Sequence, residues 1–210
     1  MPSPQIWAVV PVKPFDDAKS RLARELDKRQ RRELARVMMR HSVGTLRASA
    51  PIEHVLVVSS DPEALAFASD LGAEPLREMG GDLNLALDEA RGHAAENGAS
   101  ALLVLASDLP LVLPSDVDAM AAMDADVVIA HDRRREGTNA LLLRPTGVID
   151  FSFGTSSYER HTELAAAAGV TFLPINRHGL AFDIDLPQDW HDLLETGWRL
   201  PESQPSSSGV

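Results

Sequence analysis

Residues 6–12 read IWAVVPV, a continuous apolar run of strand length with no polar alternation. Runs of this kind are typical of strands that are buried on both faces of a sheet. The same character recurs in residues 54–58, 101–105, 127–130 and 140–143. The sequence therefore predicts a sheet at the centre of the molecule, covered on both sides.

Amphipathic stretches of helical length lie between or after these runs, at residues 28–48, 63–70, 82–96, 114–123 and 159–168. Asp61-Pro62 is a helix N-cap followed by proline at the first helical position. Strands that alternate with helices predict an α/β fold: a single-domain, three-layer αβα arrangement with a mainly parallel, Rossmann-like sheet. We assign residues 1–200 to this domain and residues 201–210, with their serine run, to a disordered tail.

The composition excludes several classes of function. The chain has 210 residues and a net charge of −11, which disfavours nucleic acid and anionic membranes as partners. It has no cysteine, so thiolate catalysis and cysteine-based metal sites are excluded. No apolar run approaches the ~20 residues that a membrane span needs, and we expect a cytoplasmic protein. A phosphorylated ligand would need local cations or a metal ion to overcome the negative charge.

The loop after the first strand supplies such cations. Residues 11–22 read PVKPFDDAKSRL and bring Lys13, Lys19 and Arg21 close to a helix start, with Arg24 just beyond. Ligands of α/β sheets bind beyond the carboxyl ends of the strands, and cationic side chains with free backbone N–H groups bind phosphate there. The alternative is a solvated basic surface, because neither a Walker loop nor a GxGxxG turn is present.

Carboxylates follow two other segments. Asp108 comes directly after the apolar run 101–105, and Asp183 and Asp185 lie in FDIDLPQDW. Mg²⁺ needs one or two carboxylates, with phosphates and water as its remaining ligands. These residues therefore predict a metal site. The alternatives are that Asp108 only caps a turn and that Asp185 is only the N-cap of the last helix.

Two further loops are rich in hydrogen-bonding groups. Residues 132–139 read DRRREGTN, where Gly137 would allow a turn of unusual φ and Thr138 and Asn139 could bind a carboxylate or phosphate. At most one or two of the three arginines should face a ligand. Residues 152–158 read SFGTSSY, and Gly154 in a hydroxyl-rich turn before a helix is a candidate anion site. A plain N-capping loop is the alternative for this second segment.

Taken together, the segments VPVKPFDDAKSRLA, GGDLNLAL, LASDLPLV, DRRREGTNALLL, FGTSSYERH and FDIDLPQDW resemble the 2-phospho-L-lactate guanylyltransferase family. Relatives in that family also use phosphoenolpyruvate or 3-phosphoglycerate. The resemblance implies a glycosyltransferase-A-like nucleotidyltransferase fold. It also implies transfer of GMP from GTP to a small phosphorylated acid, with release of pyrophosphate, in the biosynthesis of the deazaflavin coenzyme F-420.

The resemblance also implies roles for individual residues. Lys13, Lys19 and Asp108 would be catalytic. Lys13, Lys19 and Arg21 would contact the GTP phosphates, and Asp108, Asp183 and Asp185 would hold Mg²⁺. The guanosine, or the junction of the two substrates, would lie against Gly80, Gly81 and Asn84. The acid would be bound by Arg133, Thr138, Asn139, Gly154 and Ser157.

Two departures from the family pattern leave the acceptor open. Relatives often carry two threonines where this chain has Thr138-Asn139, and Asp82 interrupts a GGLN-like motif. A hydroxyl is recognised strongly only where a polar partner meets it. Asn139 and Asp82 offer such partners, which favours the hydroxylated 3-phosphoglycerate slightly over the flat phosphoenolpyruvate.

Other functions stay open on the sequence. A nucleotidyltransferase could act on a sugar phosphate or a pterin cofactor, and the same fold could serve a non-catalytic nucleotide-binding regulator. The residues alone do not distinguish GTP from other nucleoside triphosphates. They also leave the assembly undecided, with a homodimer as one possible state.

Overall fold

Seven strands form one sheet within the residues that the computed structural model describes, 5–79 and 81–201. The strands are β1 Ile6–Pro11, β2 Ile52–Ser59, β3 Glu74–Arg77, β4 Ala101–Leu105, β5 Val127–His131, β6 Thr138–Leu143 and β7 Phe172–Ile175. Their spatial order is β3-β2-β1-β4-β6-β5-β7. The apolar run at residues 6–12 thus lies in the middle of the sheet, as its lack of polar residues predicted.

Helices cover both faces of the sheet. They are α1 Lys28–Ala48, α2 Pro62–Asp70, α3 Leu83–Glu96, α4 Pro114–Ala121, α5 Ser157–Ala168, α6 His178–Ala181 and α7 Pro187–Glu195, with a 3-10 turn at Ser20–Leu22. Ala8 and Val10 of β1 face a core that includes residues of α1, α2 and α4. Trp7 and Val9 point the other way, toward residues of α3 and α5. The predicted three-layer αβα arrangement is confirmed.

The sheet is mostly parallel, and β6 is the exception. It runs antiparallel to both of its neighbours, β4 and β5. The loop of residues 132–137 before it is too short for a parallel crossover, which needs a dozen or more residues. The start of β6 therefore lies beside the carboxyl ends of β1 and β4. There the backbone N–H of Ala106 donates to the carbonyl of Asn139 at 2.8 Å.

The predicted central strands and long helices are present with bounds close to those expected. Two short edge strands, β3 and β7, and the single-turn helix α6 were not predicted. Each edge strand has four residues, contains a proline and is largely exposed, so neither carries a strong apolar pattern. Residues 202–210 of the expected tail lie outside the described residues, and the domain limits stay a prediction.

A third apolar cluster lies beside the sheet and positions one wall of the site. Trp190 and Leu193 of α7 pack with Phe182 and Ile184 against residues of α1 and of the 3-10 turn. This packing holds the acidic segment 183–185 next to the first loop. Among the described residues, no helix has the length and apolar character to cross a membrane.

Candidate active site

A cavity of about 680 Å³ opens at the carboxyl ends of β1 and β4. The first loop forms one wall, the beginning of α3 a second, and residues 106–108 the floor. Pockets for small molecules and cofactors fall in the range of roughly 300–1,000 Å³. The cavity is therefore large enough for a nucleotide.

Asp61 holds the first loop, residues 11–22, in place. The carboxylate of Asp61 accepts the backbone N–H of Phe15 at 3.0 Å and that of Glu63 at 2.9 Å, so it caps α2 and holds the loop at the same time. Phe15 is buried and meets Phe67 edge-on. Lys13 and Arg21 stay exposed on the cavity wall.

The side chain of Lys19 points into the protein, unlike the exposed side chains of Lys13 and Arg21. Its backbone has a left-handed φ of 54°, and only 10% of its side chain is exposed. The ammonium Nζ lies 2.6 Å from Asp108 Oδ2, 2.5 Å from the carbonyl oxygen of Ile184 and 3.5 Å from Asp185 Oδ1. Burial alone would lower the pKa of Lys19, but the carboxylates of Asp108 and Asp185 outweigh it and raise the pKa. Lys19 is thus a charged counter-ion within an acidic cluster.

The two later aspartates of this cluster differ in their surroundings. Asp183 is buried, and burial together with the charge of Asp108 raises the pKa of Asp183 to about 6. Asp185 lines the cavity and its side chain is 47% exposed. The alternative role of Asp185 as the helix N-cap is wrong, because α7 begins after Leu186 and Asp185 pairs with Lys19 and Arg21.

Asp189 is a residue that the sequence reasoning missed. Its Oδ2 accepts the backbone N–H groups of Asp185 at 3.0 Å and Leu186 at 2.7 Å, and its Oδ1 accepts Arg133 at 2.6 Å and Arg134 at 2.7 Å. Burial would raise the pKa of Asp189, but the hydrogen bonds from Arg134 and the backbone hold it below its ordinary range. An aspartate at the third position of a helix that begins with proline was the signal available.

The loop of residues 132–137 is ordered by Asp132, whose carboxylate accepts the backbone N–H groups of Arg134, Glu136 and Gly137. The expectation of an unusual φ at Gly137 is wrong, since the left-handed residue is Arg135 with φ 59°. A Cβ at position 137 would lie 3.0 Å from Asp132 Oδ2, a tight contact that would push against the carboxylate that orders this loop.

Arg133 contacts other protein side chains. Its guanidinium binds Asp189 and Asp192 and lies 4.1 Å from the centre of the Phe182 ring. It therefore stabilises the junction of this loop with α7, and its contact with the acid stays a prediction.

The other predicted acceptor residues lie at the beginning of β6 and at or just before the beginning of α5, outside the cavity lining. The backbone N–H of Thr138 donates to Ser157 Oγ at 2.8 Å, and Asn139 Nδ2 donates to the carbonyl of Leu180 at 3.0 Å. Gly154, with φ 115°, precedes α5 in an exposed turn. Ser156 occupies the N-cap position without a side-chain capping hydrogen bond, so this turn is not a plain N-capping loop.

Asn84 joins the two sides of the site. Its Oδ1 accepts the backbone N–H of Phe153 at 2.7 Å, and its Nδ2 donates to the Phe153 carbonyl at 3.3 Å. Its amide therefore holds the loop before α5. Asp82 is the N-cap of α3, where its carboxylate accepts the N–H groups of Asn84 and Leu85.

The structure brings part of the predicted set together around the cavity. Its lining includes Lys13, Lys19, Arg21, Gly81, Asp108 and Asp185. The lining does not include Asn84, Arg133, Thr138, Asn139, Gly154, Ser157 and Asp183. Gly80 lies outside the described residues. Within residues 5–79 and 81–201, no group of three or more His, Asp or Glu side chains is already arranged to hold a metal ion.

Comparison with known proteins agrees with this geometry. The family profile described as "Guanylyl transferase CofC like" matches residues 6–198. A phosphoenolpyruvate guanylyltransferase from Rubrobacter xylanophilus is 46% identical over 195 residues, which cover 91% of this chain and 95% of that protein. A 2-phospho-L-lactate guanylyltransferase from Methanothermobacter thermautotrophicus is 33% identical over 193 residues, covering 90% and 84%.

Solved structures share the fold at much lower sequence identity. A protein from Desulfovibrio desulfuricans G20, described as a nucleotide-diphospho-sugar transferase, superposes with a TM-score of 0.75 at 17% identity. The match covers 97% of this chain and 92% of that one. The predicted glycosyltransferase-A-like nucleotidyltransferase fold is thereby confirmed. Because the family profile and its relatives match nearly the whole domain that carries the cavity, the chain belongs to the CofC-like guanylyl transferase family.

Proposed function

We propose that this guanylyltransferase transfers GMP from GTP to phosphoenolpyruvate or 2-phospho-L-lactate, as a step in the biosynthesis of coenzyme F-420. The observation that carries the proposal is the cluster of Lys19, Asp108 and Asp185 on the wall of a cavity large enough for a nucleotide. A cation between carboxylates, with Lys13 and Arg21 beside it, suits a triphosphate and its metal ion. The names of the relatives supply the acceptor class.

The reaction needs few chemical groups from the protein. An oxygen of the acceptor phosphate attacks the α-phosphorus of GTP, a new P–O bond forms, and the bond from the α-phosphorus to the bridging oxygen breaks. Pyrophosphate leaves with that oxygen. An ionised phosphate is already a nucleophile, so no general base is required. Lys13, Lys19 and Arg21 would place the phosphates and offset their charge, which is how positioning and electrostatics lower such barriers.

The carboxylates of the site fit Mg²⁺. Asp108 and Asp185 face the cavity and would hold the ion, while Asp183 behind them adds negative charge. Mg²⁺ requires only one or two carboxylates when phosphates and water complete its shell. Burial, and after it the charges of Asp108 and Asp185, raise the pKa of Asp183, and a divalent cation would offset those charges. When bound, Mg²⁺ would supply further charge neutralisation at the phosphates.

The slight preference for 3-phosphoglycerate does not carry over to the proposal. It depended on Asp82 and Asn139 as partners for a hydroxyl. Asp82 caps α3 with its carboxylate, and Asn139 donates its side-chain amide to the Leu180 carbonyl. Both side chains are thus engaged in hydrogen bonds within the protein. Phosphoenolpyruvate is the acceptor that we place first.

The test is an assay of pyrophosphate release with GTP, Mg²⁺ and each of the three acids in turn. We expect release with phosphoenolpyruvate, and mass spectrometry should detect the GMP adduct of the acid. Reactions with ATP or CTP, and reactions without Mg²⁺, are the matched controls. The absence of pyrophosphate release with every acid would overturn the proposal, and faster release with ATP than with GTP would overturn the assignment of the nucleotide.

A further inference from the structure

A buried polar group lies between β6 and α5 and takes no part in the chemistry above. His161 of α5 is fully buried, and Thr138 and Ser157 beside it are nearly so. Buried polar side chains are retained in proteins when their hydrogen bonds are satisfied. The partners of His161 show what it holds in place.

The direction of each hydrogen bond follows from the partners. The backbone N–H of Ser152 donates to His161 Nε2 at 3.0 Å. Because Nε2 accepts, the partners assign the proton of the neutral ring to Nδ1. Nδ1 lies 2.9 Å from Thr138 Oγ1 and therefore donates to it. One imidazole thus connects the loop before α5 to the first residue of β6.

This arrangement of hydrogen bonds leaves the hydroxyls of Thr138 and Ser157 free to act as donors. Thr138 Oγ1 accepts from His161, and Ser157 Oγ accepts from the backbone N–H of Thr138. A hydroxyl that accepts one hydrogen bond still has its own proton to donate. Donors of this kind suit the oxygens of a carboxylate or a phosphate.

The loop of residues 152–154, just before Ser157, is held from two sides. His161 binds Ser152 through its backbone and meets the Phe153 ring edge-on, with centroids 4.8 Å apart. Asn84 binds the backbone of Phe153 from the beginning of α3, next to Leu83 on the cavity wall. Movement of the imidazole would therefore shift the acceptor loop relative to the nucleotide cavity.

We infer that His161 is a positioning residue for the acceptor acid: it orients the Thr138 hydroxyl and fixes the loop of residues 152–154. This inference rests on the proposed function and on the predicted contact of the acid with Thr138 and Ser157. His161 itself is fully buried and does not line the cavity.

The experiment compares Michaelis constants in two variants of the full chain. His161→Leu fills the volume and removes both hydrogen bonds, whereas His161→Asn keeps a donor near the position of Nδ1. For His161→Leu we expect the KM for phosphoenolpyruvate to rise about tenfold, as for the loss of one hydrogen bond to a charged group. The KM for GTP should stay within about twofold of the wild-type value. His161→Asn should restore part of the loss.

The matched control is Ala165→Gly, which weakens the same helix one turn later without touching the hydrogen bonds. It should lower Tm and leave both KM values unchanged. An equal rise in both KM values of His161→Leu, unchanged values, or the same rise in Ala165→Gly would each overturn the inference.

A second measurement covers the case in which His161→Leu does not fold. In a Thr138→Val background, His161→Asn should raise the KM for the acid less than it does alone, because one of the two groups that His161 holds, the Thr138 hydroxyl, is gone. Fully additive effects would overturn the inference. A wild type that is inactive with every acid would overturn the proposed function instead, so the two failures are distinguishable.

Discussion

The two proposed halves of the site, one for the nucleotide and one for the acceptor, differ in how they would bind their ligands. In the nucleotide half, Lys13 and Arg21 are exposed, and the Arg21 side chain has 68% of its surface in solvent. In the acceptor half, Thr138, Ser157 and His161 are buried and hydrogen-bonded to one another or to the backbone. The first half offers charge, and the second offers fixed geometry.

The difference matches the ligands that we propose. GTP carries several negative charges, which mobile cations can follow over a range of positions. A small acid has few atoms, so it is recognised only if its donors are already in place. Lys19 stands between the two types, because it is charged like the first half and buried like the second. The following variants separate charge from geometry.

Asp108→Asn should have the largest effect. The change removes one negative charge and almost no volume at a residue that contacts Lys19 and the cavity. We expect pyrophosphate release to fall by about 1,000-fold, the size of effect seen when a major electrostatic contact is removed. Circular dichroism should stay unchanged. Asp16→Asn, an exposed carboxylate paired with Lys28 and Arg32, is the control; a normal rate in Asp108→Asn would exclude Asp108 from the reaction.

Lys19→Met should come next. It keeps most of the length of the side chain and removes the charge, which leaves Asp108 and Asp185 to repel the triphosphate. We expect the Kd for GTP to rise by about 30-fold, and by a similar factor at high salt, because buried pairs are weakly screened. Lys28→Met is the control, since Lys28 is exposed and pairs with Asp16. Normal GTP binding by Lys19→Met would limit this lysine to balancing the aspartates.

The buried imidazole should make stability depend on pH. Burial and the neighbouring Arg160 lower the pKa of His161 from 6.5 to about 4 in the folded protein. Between about pH 6.5 and about pH 4 the unfolded chain therefore binds more protons than the folded protein. The stability that the neutral imidazole contributes is lost as the pH falls through that window. Between pH 7 and pH 5 the free energy of unfolding should fall by about 2 kcal/mol more in the wild type than in His161→Asn.

Denaturant unfolding at the two pH values measures this difference. Asp183, whose pKa is raised to about 6, titrates in both proteins and cancels in the comparison. Parallel curves for the wild type and His161→Asn would show that the acceptor half does not hold a neutral imidazole.

Lys13→Ala should have the smallest effect. Lys13 is exposed on the cavity wall, so its attraction for GTP is weakened by solvent and salt. We expect a threefold rise or so in the Kd for GTP at low ionic strength and almost none at high ionic strength. Arg24→Ala, an exposed cation outside the cavity lining, should change neither value. A salt-independent loss in Lys13→Ala would mean that Lys13 acts through geometry like the acceptor half.

The sequence by itself determined the features that depend on neighbouring residues. The apolar run at 6–12 predicted a central strand, and Asp61-Pro62 predicted the start of α2. Cations in the first loop and Asp108 after β4 were placed at the same sheet edge by strand direction alone. These are local patterns, because hydrophobic periodicity and helix capping are set within a few residues.

Only the tertiary structure decided which side chains meet. Lys19 contacts Asp108, 89 positions away, and the Ile184 carbonyl, 165 positions away. The antiparallel direction of β6 brings Thr138 to the side of the sheet where β4 ends. The packing of α5 then places His161 within hydrogen-bond distance of the Thr138 hydroxyl. Tertiary packing likewise brings the buried Asp189 into contact with Arg133 and Arg134. No local pattern encodes such pairs, because each forms only when the core brings distant segments within hydrogen-bond distance.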